Sequence, residues 1–332
     1  MSDVRFIMMV GIVGSGKSTI SDELMQGRDD VAYVSSDAIR EELSGDVNNQ
    51  DINGEVFATM LTRTKQYLAD GISVIYDATN ISRKKRTGLL QQLPKNVKKV
   101  ALYVATPYEV AVERNANRER KVPVEVIERM YKNMQIPIES EGWDKIVIEY
   151  TDDVIETDLP KQFTDAIRVG VLLGREGYQL MEFLASYFED FFKVYDLPQD
   201  SKWHSFSVSR HIYHVYKYVL DNYEGDDKEL MLWTALLHDI GKAFCKTFIS
   251  RKGEEMRYAQ FIGHEYVGSQ LAVNFLKALN FEDEFIHAVA TLIQFHMYLL
   301  DEKANRNKLK QRVGEDLFKK LEFLRDADTQ SH

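Results

Sequence analysis

Five short apolar runs punctuate the first 150 residues, at 6–10, 31–34, 72–76, 99–105 and 145–150. Each is bounded by polar residues or glycine and is too short for an ordinary helix, which predicts buried strands. Helices are predicted between them, over 19–25, 56–69 and 108–120, with a restart at Val122-Pro123 that runs through Met130 to Met134. Strands alternating with helices build a doubly wound parallel sheet, the α/β class. Beyond residue 150 this rhythm stops. Residues 151–177 are acidic, then glycine-containing, and read as a connecting segment; Tyr178 to Tyr195 predicts one aromatic-rich helix with its rings in a core.

The first run stops at Gly11, and Gly11 to Ser18 fits G-x-x-x-x-G-K-[ST] residue for residue, between a predicted strand and a predicted helix. Glycines let backbone N–H groups curl around phosphate oxygens, and the helix that follows turns its positive end to the same anion. Gly14, Ser15, Gly16, Lys17, Ser18 and Thr19 are therefore the candidate ATP-binding loop. Lys17 would reach the outer phosphates and the Ser18 hydroxyl would bind Mg²⁺. Asp37 and Arg40 sit where the second strand hands over to a helix. Asp37 is either a helix cap or a base for an attacking hydroxyl. Arg40 is either a surface residue or a bidentate clamp on a substrate phosphate. Asp77, Thr79 and Asn80 close the third strand, where a carboxylate suits the Mg²⁺ shell. Arg114 and Arg118, four apart on one predicted helix, are either surface charge or a lid over the ATP phosphates.

Charge narrows the choice of substrate. The chain of 332 residues carries a net −10, which argues against non-specific coating of nucleic acid. Residues 1–150 hold 20 Lys/Arg and 22 Asp/Glu, so most of the excess lies in the second half. Residues 83–121 hold 11 basic and 3 acidic residues, which is either a solvated helix face or a patch that holds a polyanion. Cys245 is the only cysteine, so no disulfide framework forms, as suits a reducing cytoplasm. The N-terminal apolar run leads into the phosphate loop and reads as a core strand rather than a signal peptide; no run predicts a membrane span.

Residues 1–150 resemble the kinase domain of the phage polynucleotide 5′-kinases. The ordered set is the phosphate loop, D-x-x-R at Asp37 and Arg40, and D-x-T-N at Asp77, Thr79 and Asn80. It continues in RNANR from Arg114 to Arg118 and VPVEVIERMYKNM from Val122 to Met134. The resemblance implies that Asp37 is the general base for a 5′-hydroxyl. It gives Arg40 the acceptor's neighbouring phosphate and makes Arg118, with Arg114, the lid. Those phage enzymes carry a DxDGT phosphatase, and that motif is missing here.

All eight histidines lie from His204 onward. In ALLHDIGK, His238 and Asp239 stand side by side on an apolar helix, costly to bury unless they bind a metal or each other. This half resembles the HD phosphohydrolase superfamily, with ligand order H…HD…D. His211 fits the first histidine, His238 and Asp239 the doublet, and Asp328 the last aspartate, with Asp326 two residues earlier as the other candidate. His264 and His296 match the extra histidines of members that hold two metals. His204 resembles a substrate-flanking position, and Lys242 would hold a substrate phosphate. His214 and His287 have no motif behind them. The resemblance implies an all-α domain with one or two divalent transition metals such as Mn²⁺, Ni²⁺ or Co²⁺.

The expected organisation is a P-loop polynucleotide kinase domain over 1–165, a connector and aromatic helix over 166–200, and an HD domain over 201–332. Each half would work as a separate fragment, the second from Tyr178 onward. The expected function is bifunctional healing of RNA or DNA ends, with a ligase as downstream partner and no membrane. One end is phosphorylated at 5′-OH with ATP and Mg²⁺; the other loses a 2′,3′-cyclic or 3′-phosphate. Two alternatives stay open: a small-molecule nucleotide kinase fused to an HD nucleotidase, and a regulatory module that senses a nucleotide.

Overall fold

The computed structural model describes residues 4–151, 159–174, 177–201 and 205–331. These fall into two compact units, Met1–Met130 with Pro137–Thr151, and Tyr131–Ile136 with Asp152–His332. Among the described residues no helix is long and apolar enough to cross a membrane.

The first unit is built on β1 (Arg5–Val10), β2 (Val31–Ser35), β3 (Ser73–Asp77), β4 (Lys98–Ala105) and β5 (Lys145–Tyr150). They form one sheet in the order β2-β3-β1-β4-β5, and every neighbouring pair is parallel. All five residues of β3 are buried, as expected of a strand with helices over both faces. The helices are α1 (Lys17–Met25), α2 (Ser36–Ser44), α3 (Asn53–Ala69), α4 (Arg83–Leu90), α5 (Tyr108–Ala116) and α6 (Val124–Asn133), the last of which passes into the second unit at Tyr131. The chain leaves β1 toward β2 on one side and returns to β4 on the other. The crevice at the carboxyl end of β1 is thus the topological switch point, where open α/β sheets bind ligands. The phosphate loop, Asp37 after β2, Asp77 at the end of β3 and α5 after β4 all sit at this edge.

Two details differ from the sequence reading. Helix α5 ends at Ala116, so Arg118 lies in the loop beyond it and the four-residue helical spacing to Arg114 does not apply. The Asn115 side chain bonds both N–H and C=O of Val122 (3.0 and 2.9 Å), closing that loop on itself. The basic stretch is also partly neutralised at home. Arg86 grips Glu141 with two bonds of 2.7 Å, Arg83 stands 3.4 Å from the same carboxylate, and Arg120 pairs with Asp37.

The second unit is helical, apart from a two-stranded hairpin, Thr247–Ile249 with Glu255–Gln260. Part of the expected connector is a helix, α7 (Lys161–Leu173). It buries Ile167 and Val171 and receives the Tyr216 hydroxyl on the Val171 carbonyl at 2.5 Å. The predicted aromatic helix is two helices, α8 (Gln179–Tyr187) and α9 (Glu189–Val194), broken at Phe188, whose backbone is extended. Then come α10 (Val208–Asn222), α11 (Lys228–Leu237), the short α12 (Lys242–Cys245), α13 (His264–Ala278), α14 (Asp283–Phe295) and α15 (Arg306–Gln330). Gly241 lets two of these meet: a Cβ there would come within 2.3 Å of the His264 carbonyl oxygen and 2.6 Å of the Gly268 nitrogen.

Residues Tyr131–Ile136 are held inside this second unit. Gln270 donates to the Tyr131 carbonyl (2.9 Å), the Gln294 side chain bonds both N–H and C=O of Ile136 (2.7 and 3.3 Å), and the Tyr131 ring meets Phe244 edge-on. Removing the segment would strip the buried Gln294 amide of its partners and leave Gln270 with the Tyr266 carbonyl alone, at about 1–3 kcal/mol for each group left unsatisfied. It would also uncover apolar surface beneath Tyr131 and Ile136. A fragment of residues 159–331 should therefore melt well below the full chain or fail to fold. Equal melting of the fragment and of the second transition in the full chain would contradict this.

Candidate functional sites

In the first unit Gly14 takes φ +82°, and a Cβ there would lie 2.2 Å from the Ala111 carbonyl oxygen of α5, so the loop can follow this path only with glycine. Thr106 Oγ1 fastens the loop from the other side by donating to the Ser15 carbonyl at 2.8 Å. Lys17 Nζ donates to the Ile12 carbonyl at 2.7 Å and lies 3.4 Å from Ser15 Oγ. Burial pulls the Lys17 pKa down to about 8; Asp77 works against this and Arg118 with it, which also places Arg118 electrostatically beside the loop. Thr19 starts its side chain on the exposed face of α1.

Ser18 Oγ donates to Asp77 Oδ2 at 3.2 Å, and the Tyr33 hydroxyl donates to the same oxygen at 2.5 Å. A serine hydroxyl and a carboxylate meeting beside a phosphate loop are the donor set Mg²⁺ takes in such sites, all hard oxygen. Thr79 and Asn80 brace the loop instead of facing it. The Thr79 carbonyl accepts from Gly11 N–H at 3.0 Å, and the Asn80 amide donates to the Met9 carbonyl at 2.7 Å. A Cβ on Gly16 would meet Arg114 Nη1 at 3.3 Å, so Arg114 lies over the loop.

Asp37, in the first turn of α2, is half-exposed and has a guanidinium on each oxygen. Arg40 Nη1 reaches Oδ1 at 2.9 Å and Arg120 Nη1 reaches Oδ2 at 2.6 Å. Arg40 is buried and its Nη2 donates to Asn53 Oδ1 at 2.9 Å. Sequence reasoning passed over Arg120. It lies two residues past the motif arginine Arg118, and its partner is 83 residues away.

The second unit gathers six donors. His211 comes from α10, His238 and Asp239 from the end of α11, His264 from the first position of α13, His296 from the residue after α14, and Asp328 from near the end of α15. His211, His238 and Asp328 form one buried group and Asp239, His264 and His296 another, the donor atoms of each within 4.8 Å of one another. Asp239 faces both groups. Its Oδ2 lies 3.4 Å from Nε2 of His211 and of His238, and its Oδ1 lies 3.3 Å from His264 Nε2 and 3.8 Å from His296 Nε2. Asp328 Oδ1 stands 2.8 Å from His211 Nε2, whereas Asp326 is an exposed partner of Arg325. His204 lies outside the described residues.

The backbone fixes what the four rings offer. Nδ1 of His211, His238, His264 and His296 lies 3.0, 2.7, 2.8 and 2.7 Å from the carbonyl oxygens of Ser331, Ala235, Phe261 and Ile293. A carbonyl can only accept, so each Nδ1 carries the proton and each Nε2 presents its lone pair. Those lone pairs converge: the Nε2 atoms of His211 and His238 are 3.3 Å apart, and those of His264 and His296 are 3.2 Å apart. Two lone pairs so placed repel unless a cation lies between them, and carbonyl-oriented imidazoles are how proteins hold such ions. The mixed imidazole and carboxylate set fits a divalent metal in each group.

Charge follows the same lines. Burial, with His264 and His238 nearby, pushes the His296 pKa down to about 3, so it stays neutral. Burial works against the ionised form of Asp239, but the Lys242 ammonium holds it well below the usual carboxylate range. Lys242 is buried, 2.6 Å from Asp239 Oδ2 and 2.8 Å from Gln199 Oε1, so the structure uses it first to anchor the shared carboxylate.

Comparison with known proteins divides the chain at similar places. Residues 6–137 match the AAA domain family and residues 204–329 match the HD domain family. The chain thus joins a P-loop kinase domain to an HD domain. A curated relative, the L-seryl-tRNA(Sec) kinase of Methanococcus maripaludis, is 28% identical over 155 residues, 45% of this chain and 60% of that protein. The chain therefore spans less than two thirds of that relative's length. Among solved structures, a Pnkp1/Rnl/Hen1 RNA repair complex is 20% identical, covering 39% of this chain and 43% of its own, with a TM-score of 0.36. A fungal RNA kinase is 15% identical, covering 57% of this chain and 89% of its own, with a TM-score of 0.33.

Proposed function

We propose that the chain heals broken nucleic-acid ends: the P-loop unit phosphorylates a 5′-hydroxyl with ATP, and the HD unit removes a terminal 2′,3′-cyclic or 3′-phosphate. The observation that carries the reading is that one chain has both a phosphate loop with a carboxylate at its acceptor side and a six-donor centre with a shared aspartate. Sealing a break needs a 5′-phosphate and a free 3′-hydroxyl, and these two chemistries supply them. The name of the archaeal relative, a kinase of an RNA-borne serine, is in keeping with an acceptor carried on RNA.

In the kinase unit the loop N–H groups and Lys17 would hold the outer phosphates, Ser18 and Asp77 would hold Mg²⁺, and Arg114 and Arg118 would neutralise charge on the transferred group. Asp37 accepts the proton of the attacking hydroxyl, and Arg40 fixes its orientation from behind. In the HD unit, divalent metals of the Mn²⁺, Ni²⁺ or Co²⁺ kind would supply Lewis-acid activation of water and of the phosphate it attacks. His211, His238 and Asp328 would hold one ion, His264 and His296 the other, and Asp239 both. Lys242 keeps Asp239 ionised and in register. The test incubates the full chain with ATP, Mg²⁺ or Mn²⁺, and RNA or DNA bearing 5′-OH with 2′,3′-cyclic phosphate or 3′-phosphate ends, then adds a ligase that requires healed ends. Sealing is the expected result. Hydrolysis of free nucleotides with every polynucleotide end left untouched would replace this reading by a nucleotide kinase fused to a nucleotidase.

A further inference from the structure

Each of the four metal-facing rings is aimed by a backbone carbonyl, and two of those carbonyls adjoin residues pinned to one distant segment of the chain. Ile293, which orients His296, is followed by Gln294. The Gln294 Oε1 accepts from Ile136 N–H at 2.7 Å, and its Nε2 donates to the Ile136 carbonyl at 3.3 Å. Phe261, which orients His264, is followed two residues later by Gly263 at φ +86°, where a Cβ would come within 2.4 Å of the Lys132 carbonyl oxygen. Between these two points Gln270, on α13, donates to the Tyr131 carbonyl at 2.9 Å. Gln270, Gln294 and Ile136 are buried, so these bonds are made away from water. Tyr131–Ile136 is thus a strap against α13 and α14, the helix that His264 begins and the helix that ends at His296. The strap continues α6 from the unit that holds the phosphate loop. The carbonyls that aim the other two rings lie elsewhere: Ala235 is on α11 and Ser331 just past α15.

We propose that Gln294 and Gly263 are positioning residues for the His264–His296 pair, and that the strap Tyr131–Ile136 sets the affinity of the ion held there and not of the other. This rests on the two-ion reading of the HD unit given above. An imidazole presents Nε2 to an ion only as well as the carbonyl on its Nδ1–H is placed. Two hydrogen bonds to one backbone residue fix Gln294 in both position and rotation, and with it the last turn of α14, including the Ile293 carbonyl. With the strap withdrawn, both ends of the Gln294 amide are buried without partners. The turn then has to rearrange to pair them, and His296 moves with it. On the other ring, Gly263 lets the Lys132 carbonyl pack directly behind the residue next to His264. Asp239 serves both groups but is anchored by Lys242, so its place does not depend on the strap. The centre is therefore two sites of unequal origin: one built within the helical half, the other braced by residues from the first half of the chain.

The experiment uses the full chain, stripped of metal and titrated with Mn²⁺ by calorimetry, with ions per chain checked by elemental analysis. The wild type should take two ions. Gln294→Met keeps the volume and loses both bonds; it should weaken one ion by roughly 10–100-fold, the usual cost of losing an outer partner, and leave the other unchanged. Added to His264→Ala, which has already given up that ion, Gln294→Met should not alter the affinity of the ion that remains. Val171→Ala removes buried apolar contacts of α7 in the same unit, and as the control for lost stability it should keep both affinities. If melting curves show Gln294→Met to be misfolded, Gln294→Asn and Gln270→Met carry the same comparison. Two ions at wild-type affinity in the folded variants, equal weakening of both ions, or the same loss in Val171→Ala would overturn the proposal. A wild type that takes only one ion would sink the two-ion reading, and the proposal with it, a result distinct from two ions that ignore the strap.

Discussion

Asp239→Asn should leave the HD unit unable to hold either metal tightly and should lower release of terminal phosphate by roughly three decades or more. Charge stabilisation by metal ions is worth several kcal/mol, and each 1.36 kcal/mol is a decade in rate. The size of the effect comes from geometry: Oδ1 faces one pair of imidazoles and Oδ2 the other, so one substitution takes a negative charge from both donor groups. The amide that replaces it would also point N–H groups at lone pairs or at Lys242. Lys242 would be left buried with Gln199 as its remaining polar partner, and an uncompensated buried charge costs about 3–5 kcal/mol. The melting temperature should fall for that reason, and it must be measured alongside. His264→Ala separates the two effects, because it touches one donor group: that variant should keep one ion and lose the other. Metal analysis that finds two tightly held ions per chain in Asp239→Asn would end the shared-ligand argument.

The candidate site residues are legible in the sequence where they come as contiguous motifs. The loop glycines with Lys17 and Ser18, and the His238-Asp239 doublet, name themselves because the geometry they need is local. His211, His264, His296 and Asp328 became legible through the family resemblance and its order along the chain, since each stands on a separate element. What stayed hidden is long-range pairing with no periodic signal. Arg120 on Asp37, Gln270 and Gln294 on Tyr131–Ile136, and the Ser331 carbonyl on His211 are contacts across 83 or more residues. The helix Lys161–Leu173 was partly visible, with apolar positions at 163, 167 and 171, but Gly170 and Gly174 and the acidic stretch before it masked the pattern. The break at Phe188 carries no proline or glycine; there tertiary packing of Phe188 and Phe191 on Phe275 outweighs helix continuity.

Lys17→Ala should abolish 5′ phosphorylation within detection and leave terminal-phosphate release near wild type. The lysine is a positive charge inside the loop, its ammonium 2.7 Å from the Ile12 carbonyl and its stem buried, where it would reach the outer phosphates from within. Asp37→Asn should cost less, roughly 10²–10⁴-fold, the usual worth of a positioned base. Lys17 also sets a pH limit. Burial lowers its pKa to about 8, so it is a cation at pH 7 and loses its proton as pH rises through that value. ATP binding by the free chain should therefore weaken above about pH 8, and Lys17→Arg, which cannot deprotonate in this range, should remove that limb whatever else it costs. The two centres draw on separate residues, so their defects should complement in solution. On RNA with 5′-OH and 2′,3′-cyclic phosphate ends, Lys17→Ala alone should yield 3′-hydroxyls without 5′-phosphates, and Asp239→Asn alone the reverse. Neither product can be sealed by a ligase that needs both, and a mixture of the two variants should restore sealing. Failure of the mixture, with each variant still active at its own end, would mean that both ends must be processed within one chain.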